Sequence, residues 1–132
     1  MATMTAAQRR DEARLAFDAY FAECPSRKLL DRLSDKWVTL VLSALAGGER
    51  RYSDLARRIA GVSQKMLTQT LRGLERDGLV TRRVTAQVPV RVDYALTPLG
   101  ESLMPLVAAI KTWAEEHIDD VETARACYDA SA

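Results

Sequence analysis

The amino-acid sequence predicts a mainly α-helical fold with one small β-hairpin (α+β), arranged as a winged helix-turn-helix that is followed by a long C-terminal helix. Two short helical segments, 53–59 and 63–77, flank a turn that contains Gly61, which is the pattern of a helix-turn-helix. Two runs within 80–96 then alternate apolar and polar residues with the period of β-strands. A long apolar stripe after residue 97 predicts the last helix and a protein partner for it.

The chain of 132 residues, 48% of them hydrophobic, is long enough for one packed domain with terminal arms. We predict an N-terminal helical arm over 1–23, a winged helix-turn-helix over 24–96, a C-terminal helix over 97–118 and an acidic tail over 119–132. The longest run without a charged residue, 37–48, is shorter than the ~20 residues that span a bilayer. We therefore expect a cytoplasmic protein that makes no use of a membrane.

Charge is distributed unevenly along the chain. Residues 1–49 carry seven basic and seven acidic side chains, residues 50–94 carry ten and four, and residues 95–132 carry two and seven. The middle segment therefore has a net charge of +6 and the last segment −5. A basic segment suits a polyanion such as nucleic acid, although solvated lysines and arginines also cluster by chance.

Cysteine and histidine usage excludes several kinds of site. Cys24 and Cys127 lie about a hundred residues apart and form no CxxC pair, which argues against a local zinc or dithiol motif. His117 is the only histidine, so a histidine-rich metal site cannot be assembled and we do not expect a conventional catalytic triad. Gly47 and Gly48 lack the flanking pattern of a phosphate-binding loop. We expect no metal, no cofactor and no enzymatic activity.

Three helices are predicted before the helix-turn-helix. An alanine-rich helix over 5–22 ends before Cys24, because a residue that precedes proline disfavours helical backbone. Pro25 suits the first turn of a short second helix. Ser34 is predicted to cap a third helix over 35–46, which is apolar nearly all round and should be buried.

The helix-turn-helix is predicted to begin with Ser53 capping its first helix, and Ser63 caps the second. The core face of the second helix consists of Met66, Leu67, Leu71 and Leu74. Its opposite face holds no acid between Ser63 and Leu74 and carries long hydrogen-bond donors; we name it the polar stripe. The polar stripe consists of Lys65, Thr68, Gln69, Arg72 and Arg76.

The wing is the predicted hairpin over 80–96, with Pro89 limiting strand pairing in its loop. In the first strand, Val80 and Val84 share one face. In the second strand, Arg91 and Asp93 face one way. The residues predicted to face the other way are Val90, Val92, Tyr94 and Leu96.

The last helix is predicted to open with Thr97 as its cap and Pro98 as its first residue, and Pro105 should kink it. Its apolar stripe consists of Leu99, Leu103, Leu106, Val107, Ile110 and Trp113. A small domain needs little more core than it already has, so this stripe predicts a symmetric homodimer. The alternative is that the stripe packs against the N-terminal arm of the same chain.

Three stretches between residues 24 and 117 carry specific sequence patterns: CPSRKLLDRLSDKW, RRYSDLARRIAGVSQKMLTQTLRGLERDGLVTR and VPVRVDYALTPLGESLMPLVAAIKTWAEEH. The chain in these stretches resembles the HxlR-type winged-helix transcriptional regulators of bacteria. VSQKMLTQTLRGLERDGL and VPVRVDYALTPLG are the most specific strings, since related winged-helix families share the architecture but not these sequences.

This resemblance implies a homodimer that binds double-stranded DNA at a partly palindromic operator and controls neighbouring genes. The segment 63–77 would be the recognition helix in the major groove, and the wing would contact the backbone or the minor groove. Two copies about 34 Å apart would meet the two half-sites. Repression is expected over activation, because covering a promoter needs no further partner surface.

Roles for single residues follow from this geometry. Gln64 and Gln69 suit adenine, Lys65 suits guanine, and the methyl group of Thr68 suits thymine. Arg72 is expected at a phosphate or in an intramolecular ion pair. Tyr52 and Ser53 are expected at phosphate because helix N-termini favour anions, and the wing arginines extend the basic surface. The predicted DNA-binding residues are Tyr52, Ser53, Ser63, Gln64, Lys65, Thr68, Gln69, Arg72, Arg82, Arg83 and Arg91.

Cys24 has two interpretations. Several members of the family it resembles carry a cysteine before proline, and some of them sense electrophiles or oxidants through it. A helix N-terminus with Arg27 and Lys28 close by would lower the pKa of the Cys24 thiol and favour thiolate. The alternative is a small buried residue without redox function. A small-molecule effector, bound between the central helix and the last helix near Trp37 and Trp113, is the other expected input.

Two rival functions make different predictions. A winged helix used as a protein-interaction module without specific DNA binding would carry hydrophobic contacts on its outer face, and the polar stripe argues against it. An enzyme with Cys24 as nucleophile would need a base, and His117 lies far away in the sequence.

Overall fold

The computed structural model of the protein describes residues 3–131 and, for residues 18–23, the backbone alone. The chain divides into two compact units, one ending at Lys36 and the other beginning at Trp37. The elements are α1 (Ala6–Glu23), α2 (Pro25–Leu33), α3 (Lys36–Leu45), β1 (Arg50–Arg51), α4 (Tyr52–Arg58), α5 (Gln64–Arg76), β2 (Val80–Thr85), β3 (Arg91–Leu96) and α6 (Pro98–Ser131).

The first unit contains α1 and α2. α1 begins with a reciprocal capping box, in which Gln8 N donates to Thr5 Oγ1 at 3.1 Å and Thr5 N donates to Gln8 Oε1 at 2.9 Å. α2 begins at Pro25, as predicted. The prediction that Ser34 caps the third helix is wrong, because Ser34 has helical backbone angles and closes α2 by donating to Leu30 O at 2.8 Å.

The core of the second unit is formed by aliphatic side chains of α3, α4 and α5. The fully buried members are Val41, Leu42, Leu45, Leu55, Leu67, Leu71 and Leu74. α3 buries one side only, because Leu40 on its other side is 46% exposed. The predicted burial of this helix is therefore confirmed for one side, which carries Val38, Val41, Leu42 and Leu45. The turns at Gly48 and Gly61 have φ of 126° and 82°, which glycine adopts without steric cost.

The sheet has three antiparallel strands in the order β1-β3-β2. β1 pairs Arg50 with Tyr94 and Arg51 with Asp93, and it was not predicted because two residues show no periodicity. Arg91 and Asp93 share one face of β3, as predicted, because Arg91 Nε donates to the Asp93 carboxylate. The burial of Asp93 was not predicted; it accompanies the pairing of β1 with β3 and the packing of α4 against β3. Val84 and Val90 are exposed, whereas Val80 and Tyr94, predicted to share their strand faces, are buried.

α6 begins as predicted, with the Thr97 hydroxyl oxygen accepting from Gly100 N at 3.0 Å and Pro98 in the first turn. Pro105 lies inside the helix. Residues 119–131, which were predicted as a separate acidic tail, continue the same helix. No helix in the described part of the chain is both long and apolar enough to cross a membrane.

Candidate nucleic-acid interface

The recognition helix predicted from the sequence is α5, and its ends are well defined. Ser63 accepts from Met66 N at 3.1 Å, so the predicted N-cap is confirmed. The helix ends at Asp77 and Gly78, whose φ of 75° allows the chain to turn. Leu67, Leu71 and Leu74 are buried, as expected for the core face. One side of α5 is therefore held in the core, and this fixes which side faces outward.

The polar stripe lies on the outward side of α5. Lys65, Gln69 and Arg72 are exposed, and so is Gln64 next to them. Within residues 3–131, the side chains of these four residues take part in no hydrogen bond or ion pair. Long donors that have no partner in the protein can bind an external acceptor without first breaking an internal contact.

Tyr52 connects α4 to the polar stripe. Its hydroxyl donates to Gln64 O at 3.2 Å and lies 3.2 Å from Thr68 Oγ1. Thr68 is half-buried as a result. The Tyr52 hydroxyl thus holds the first turns of α5 in place, and its predicted contact with phosphate stays a prediction.

Ser53 does not have the local role that was predicted for it. α4 begins at Tyr52 with Arg51 in the cap position, and no side chain caps the helix there. Ser53 lies inside the first turn and is exposed, so the prediction that it caps the helix is wrong. Its predicted phosphate contact also stays a prediction.

A polar cleft of about 190 Å³ separates α5 from the wing. It is lined by Thr68, Arg72, Glu75, Arg82 and Tyr94, so the fold brings together three of the predicted contact residues from two elements. Burial raises the pKa of the Tyr94 phenol, and the hydrogen bond from Arg82 partly opposes this shift. Arg82 therefore lines the cleft beside a phenol group, and among the described residues no ion pair neutralises its charge.

The other two wing arginines are held by acids. Arg91 Nε donates to both carboxylate oxygens of Asp93, at 2.9 and 3.2 Å, and the side chain of Asp93 is only 1% exposed. Arg83 Nη2 lies 2.5 Å from Glu49 Oε1 and 3.9 Å from Asp93 Oδ2. Two cations therefore surround one buried carboxylate at the base of the wing.

A second cleft of about 260 Å³ lies between the start of α4 and the wing loop. Its lining includes Tyr52, Ser53 and Arg91, which were predicted, together with Arg51 and Gln87, which were not. In the sequence, the adjacent basic residues Arg50 and Arg51 were the feature that could have predicted Arg51 as a contact residue. Of these two, Arg50 is engaged inside the protein with Ala44 O and Asp54, so only Arg51 is exposed.

The comparison with known proteins agrees with this geometry. A family model described as HxlR-like helix-turn-helix matches residues 32–122, most of the second unit and the end of the first. The chain belongs to the HxlR-like helix-turn-helix family. The family predicted from the three sequence stretches is thereby confirmed.

Among HxlR-like relatives, the chain is 47% identical over 106 residues to the HTH-type transcriptional regulator YtfH of Escherichia coli strain K12, covering 80% of this chain and 84% of the relative. A solved YtfH structure from Salmonella typhimurium matches with a TM-score of 0.72 and 44% identity, covering 79% of this chain and 93% of that one. The redox regulator HypR in its reduced form matches with a TM-score of 0.71 and 37% identity, covering 75% and 98%.

These matches establish the class of protein. The chain is a transcriptional regulator of the helix-turn-helix type, and its structural neighbours have the predicted winged-helix fold. Proteins of this family are regulators and not enzymes, which confirms the absence of a catalytic function.

Cys24 occupies the cap position of α2 in this HxlR-like chain and is half-buried. Backbone hydrogen bonds from Ser26 and Arg27 lower the pKa of its thiol, and the Ser26 hydroxyl adds to the shift. The predicted direction and the predicted contribution of the helix N-terminus are confirmed, whereas the charges of Arg27 and Lys28 do not contribute to the shift. Cys127 is exposed on α6.

Proposed function

We propose that this regulator binds, as a homodimer, to a palindromic operator and represses the genes next to it. The observation that carries this proposal is the polar stripe: an ordered helix face, held by a buried leucine row, whose long side chains Lys65, Gln69 and Arg72 have no hydrogen bond or ion pair within the described chain. Such donors read base edges in a major groove, and Lys65 and Gln69 have the chemistry for guanine and adenine. The wing contributes backbone contacts through Arg82, Arg83 and Arg91.

The apolar stripe of α6 supports the dimer. Leu106, Ile110 and Trp113 lie on this long helix and remain exposed, with Trp113 at 56%. Large apolar side chains in a row on one helix favour association with a second copy, which places two recognition helices on one DNA duplex.

DNA binding tests this proposal. Fluorescence anisotropy would follow binding of the 132-residue protein to the DNA upstream of its own gene, across a series of salt concentrations, with random DNA of equal length as control. We expect binding that weakens steeply as salt rises and that exceeds binding to random DNA by at least about a thousandfold. Equal affinity for both DNAs at low salt would overturn the proposal and favour the protein-interaction module.

Cys24 carries a second candidate function, which is release of DNA upon reaction with an electrophile or oxidant. The lowered pKa of its thiol and the likeness of the chain to the redox regulator HypR support it. Thiolate is the reactive form, so Cys24 should react with a maleimide faster than Cys127, which is exposed in the same chain. A small-molecule effector is the alternative input.

A thiol-specific oxidant separates these two inputs. We expect oxidation to release DNA from the wild-type protein and from Cys127→Ser, and to leave Cys24→Ser bound. Mass spectrometry would assign the modified residue in each sample. Unchanged DNA binding after complete modification of Cys24 would exclude it as the switch and leave the small-molecule effector.

A further inference from the structure

The beginning of α6 is joined to the end of α5 by a compact set of hydrogen bonds. After β3, Thr97 N donates to Leu79 O at 3.0 Å. The Thr97 hydroxyl also donates to Gly78 O, at 2.6 Å. Both acceptors belong to the turn that ends α5.

The same hydroxyl group also starts α6. Its oxygen accepts from Gly100 N at 3.0 Å, and Thr97 O accepts from Glu101 N at 2.8 Å. A hydroxyl can donate one bond and accept others, which a carboxylate cannot do. One oxygen atom therefore links the first turn of α6 to the Gly78 carbonyl group in the turn that follows α5.

Gly100 allows this close approach. It is buried, and a Cβ atom at this position would overlap the carbonyl oxygen of Leu79 and lie 3.2 Å from Leu96 Cδ2. Gly100 has ordinary helical backbone angles, so glycine is required here by space and not by a left-handed conformation. The backbones of the two elements consequently touch without a side chain between them.

The turn that receives these bonds is itself hydrogen-bonded to the last turn of α5. Leu79 N donates to Leu74 O and Gly78 N to Glu75 O, both at 3.0 Å, and the Leu79 side chain is buried. A displacement of the start of α6 must therefore displace the end of α5. Beyond this junction, α6 carries the exposed apolar stripe along its next turns.

We propose that Thr97 and Gly100, bound to the carbonyl groups of Gly78 and Leu79, form a clamp that fixes the angle between the recognition helix and the dimer helix. Because α6 joins the two copies, the clamp sets the separation of the two α5 helices and hence the operator half-site spacing that the dimer accepts. Thr97 and Gly100 act as positioning residues in this scheme, which rests on the dimeric function proposed above.

Three substitutions separate the clamp from ordinary helix capping. Thr97→Asp keeps an acceptor for Gly100 N, and aspartate is a good N-cap, but its ionised carboxylate has no proton to donate to Gly78 O. Thr97→Ser keeps both bonds and should restore wild-type behaviour. Ser102→Ala is the matched control, because the Ser102 hydroxyl donates to Leu99 O within α6 and does not contact α5.

The angle itself is measured by electron spin resonance on the full chain. Labels at Arg76→Cys on α5 and Lys111→Cys on α6 would be introduced with Cys24→Ser and Cys127→Ser, and the labelled chain diluted with unlabelled protein to isolate distances within one chain. We expect one narrow distance distribution for the unaltered clamp, for Thr97→Ser and for Ser102→Ala, and a broadened or shifted one for Thr97→Asp. Identical distributions in all four proteins would overturn the clamp.

Binding to DNA gives the functional readout. We expect Thr97→Asp to bind a single half-site as the wild type does and to lose about tenfold in affinity for the full operator, the equivalent of about one hydrogen bond. An equal loss on both DNAs would mean that the substitution damages α5 itself and would overturn the proposal. So would an unchanged affinity on both.

The label distances and the DNA affinities distinguish a failure of the clamp from a failure of the proposed DNA-binding function. If the wild-type protein binds no DNA specifically, the proposed function fails, and the label distances still decide whether the clamp sets the angle. Gly100→Ala provides an independent second test, because a methyl group there must push Leu79 away. It should shift the same distance distribution and alter the preferred half-site spacing.

Discussion

The polar stripe of α5 and the arginines of the wing have similar chemistry but different internal partners. Lys65, Gln69 and Arg72 have no hydrogen bond or ion pair within residues 3–131. Arg91 is held by the buried Asp93, and Arg83 is held mainly by Glu49. The helix can therefore form new contacts at once, whereas Arg83 and Arg91 in the wing have to exchange or share their existing ones.

This difference suggests that the helix and the wing have separate functions in DNA binding, which we call the division of labour. A side chain without an internal partner gains the full contact when it meets a base edge, so the helix is suited to discriminate between sequences. A side chain already paired with an acid gains only the difference between two contacts, so the wing is suited to hold the backbone at a set position. In the free protein, Glu49 and Asp93 then fix the positions of the Arg83 and Arg91 guanidinium groups.

The largest effect is expected from the polar stripe. The double substitution Lys65→Ala and Gln69→Ala should cost about 3 kcal/mol of specific binding, roughly a hundredfold, because two base contacts are lost. Anisotropy titrations against operator and random DNA would measure it, and most of the loss should fall on the operator. The charge control is Lys111→Ala, since this lysine is exposed on α6 beside Glu115.

Equal losses on operator and random DNA would contradict the division of labour. The polar stripe would then act through charge alone, and the base contacts would have to come from the wing. Unchanged urea unfolding of the double variant is required for either interpretation, and it is expected because both side chains are exposed.

The buried acid at the base of the wing should have the next largest effect. Asp93→Asn removes the charge that Arg91 and Arg83 share, and we expect the free energy of unfolding to fall by about 2 kcal/mol. Urea unfolding would measure the loss, and amide hydrogen exchange should show faster exchange in β2 and β3. An unchanged urea midpoint would show that Asp93 does not organise the wing.

A substitution at Glu49 should have a smaller effect, and it should strengthen DNA binding, whereas the substitutions in the polar stripe weaken it. Glu49→Gln removes the acid nearest to Arg83, and we expect binding to random DNA to become two- to threefold tighter at low salt, about 0.5 kcal/mol. The slope of log affinity against log salt should steepen by about 0.9, one additional phosphate contact. Arg83→Gln should change both quantities in the opposite direction, and no change in either variant would remove Arg83 from the interface.

Much of the fold could be predicted from local signals in the sequence. The caps at Ser63 and Thr97, the turn at Gly61 and the leucine row of α5 all act over a few residues, so periodicity and capping rules detect them. β1 could not be predicted, because two residues have no period and pair only with a strand forty residues later. The burial of Asp93 follows from that pairing and was missed with it.

The candidate site was predictable as residue types and less so as contacts. The polar stripe on α5 could be predicted from helical spacing alone. The pairing of Arg83 with Glu49 joins residues 34 apart in the chain, and the bond from Tyr52 to Thr68 joins α4 to α5. Such contacts depend on how elements pack, so a single sequence carries no direct sign of them.

The smallest effect is expected from Asp54, the acid of α4 that forms ion pairs with Arg50, Arg57 and Arg58. Partial burial opposes its ionisation, but the hydrogen bond from Arg50 and the charge of Arg58 outweigh it and lower the pKa of the Asp54 carboxyl. A carboxyl with a lowered pKa in the folded state stabilises the protein above the unfolded pKa of about 3.9, and this stabilisation is lost as the pH falls through the lower folded value. The free energies of unfolding of the wild type and Asp54→Asn, measured in urea, should therefore differ by a constant amount from pH 7 to about pH 5 and converge below pH 4.

Asp119→Asn, which removes one carboxylate from α6, controls for net charge. A difference that persisted unchanged to pH 3 would show that the ion pairs of Asp54 do not contribute to stability, and that α4 is held by Leu55 and its apolar neighbours alone.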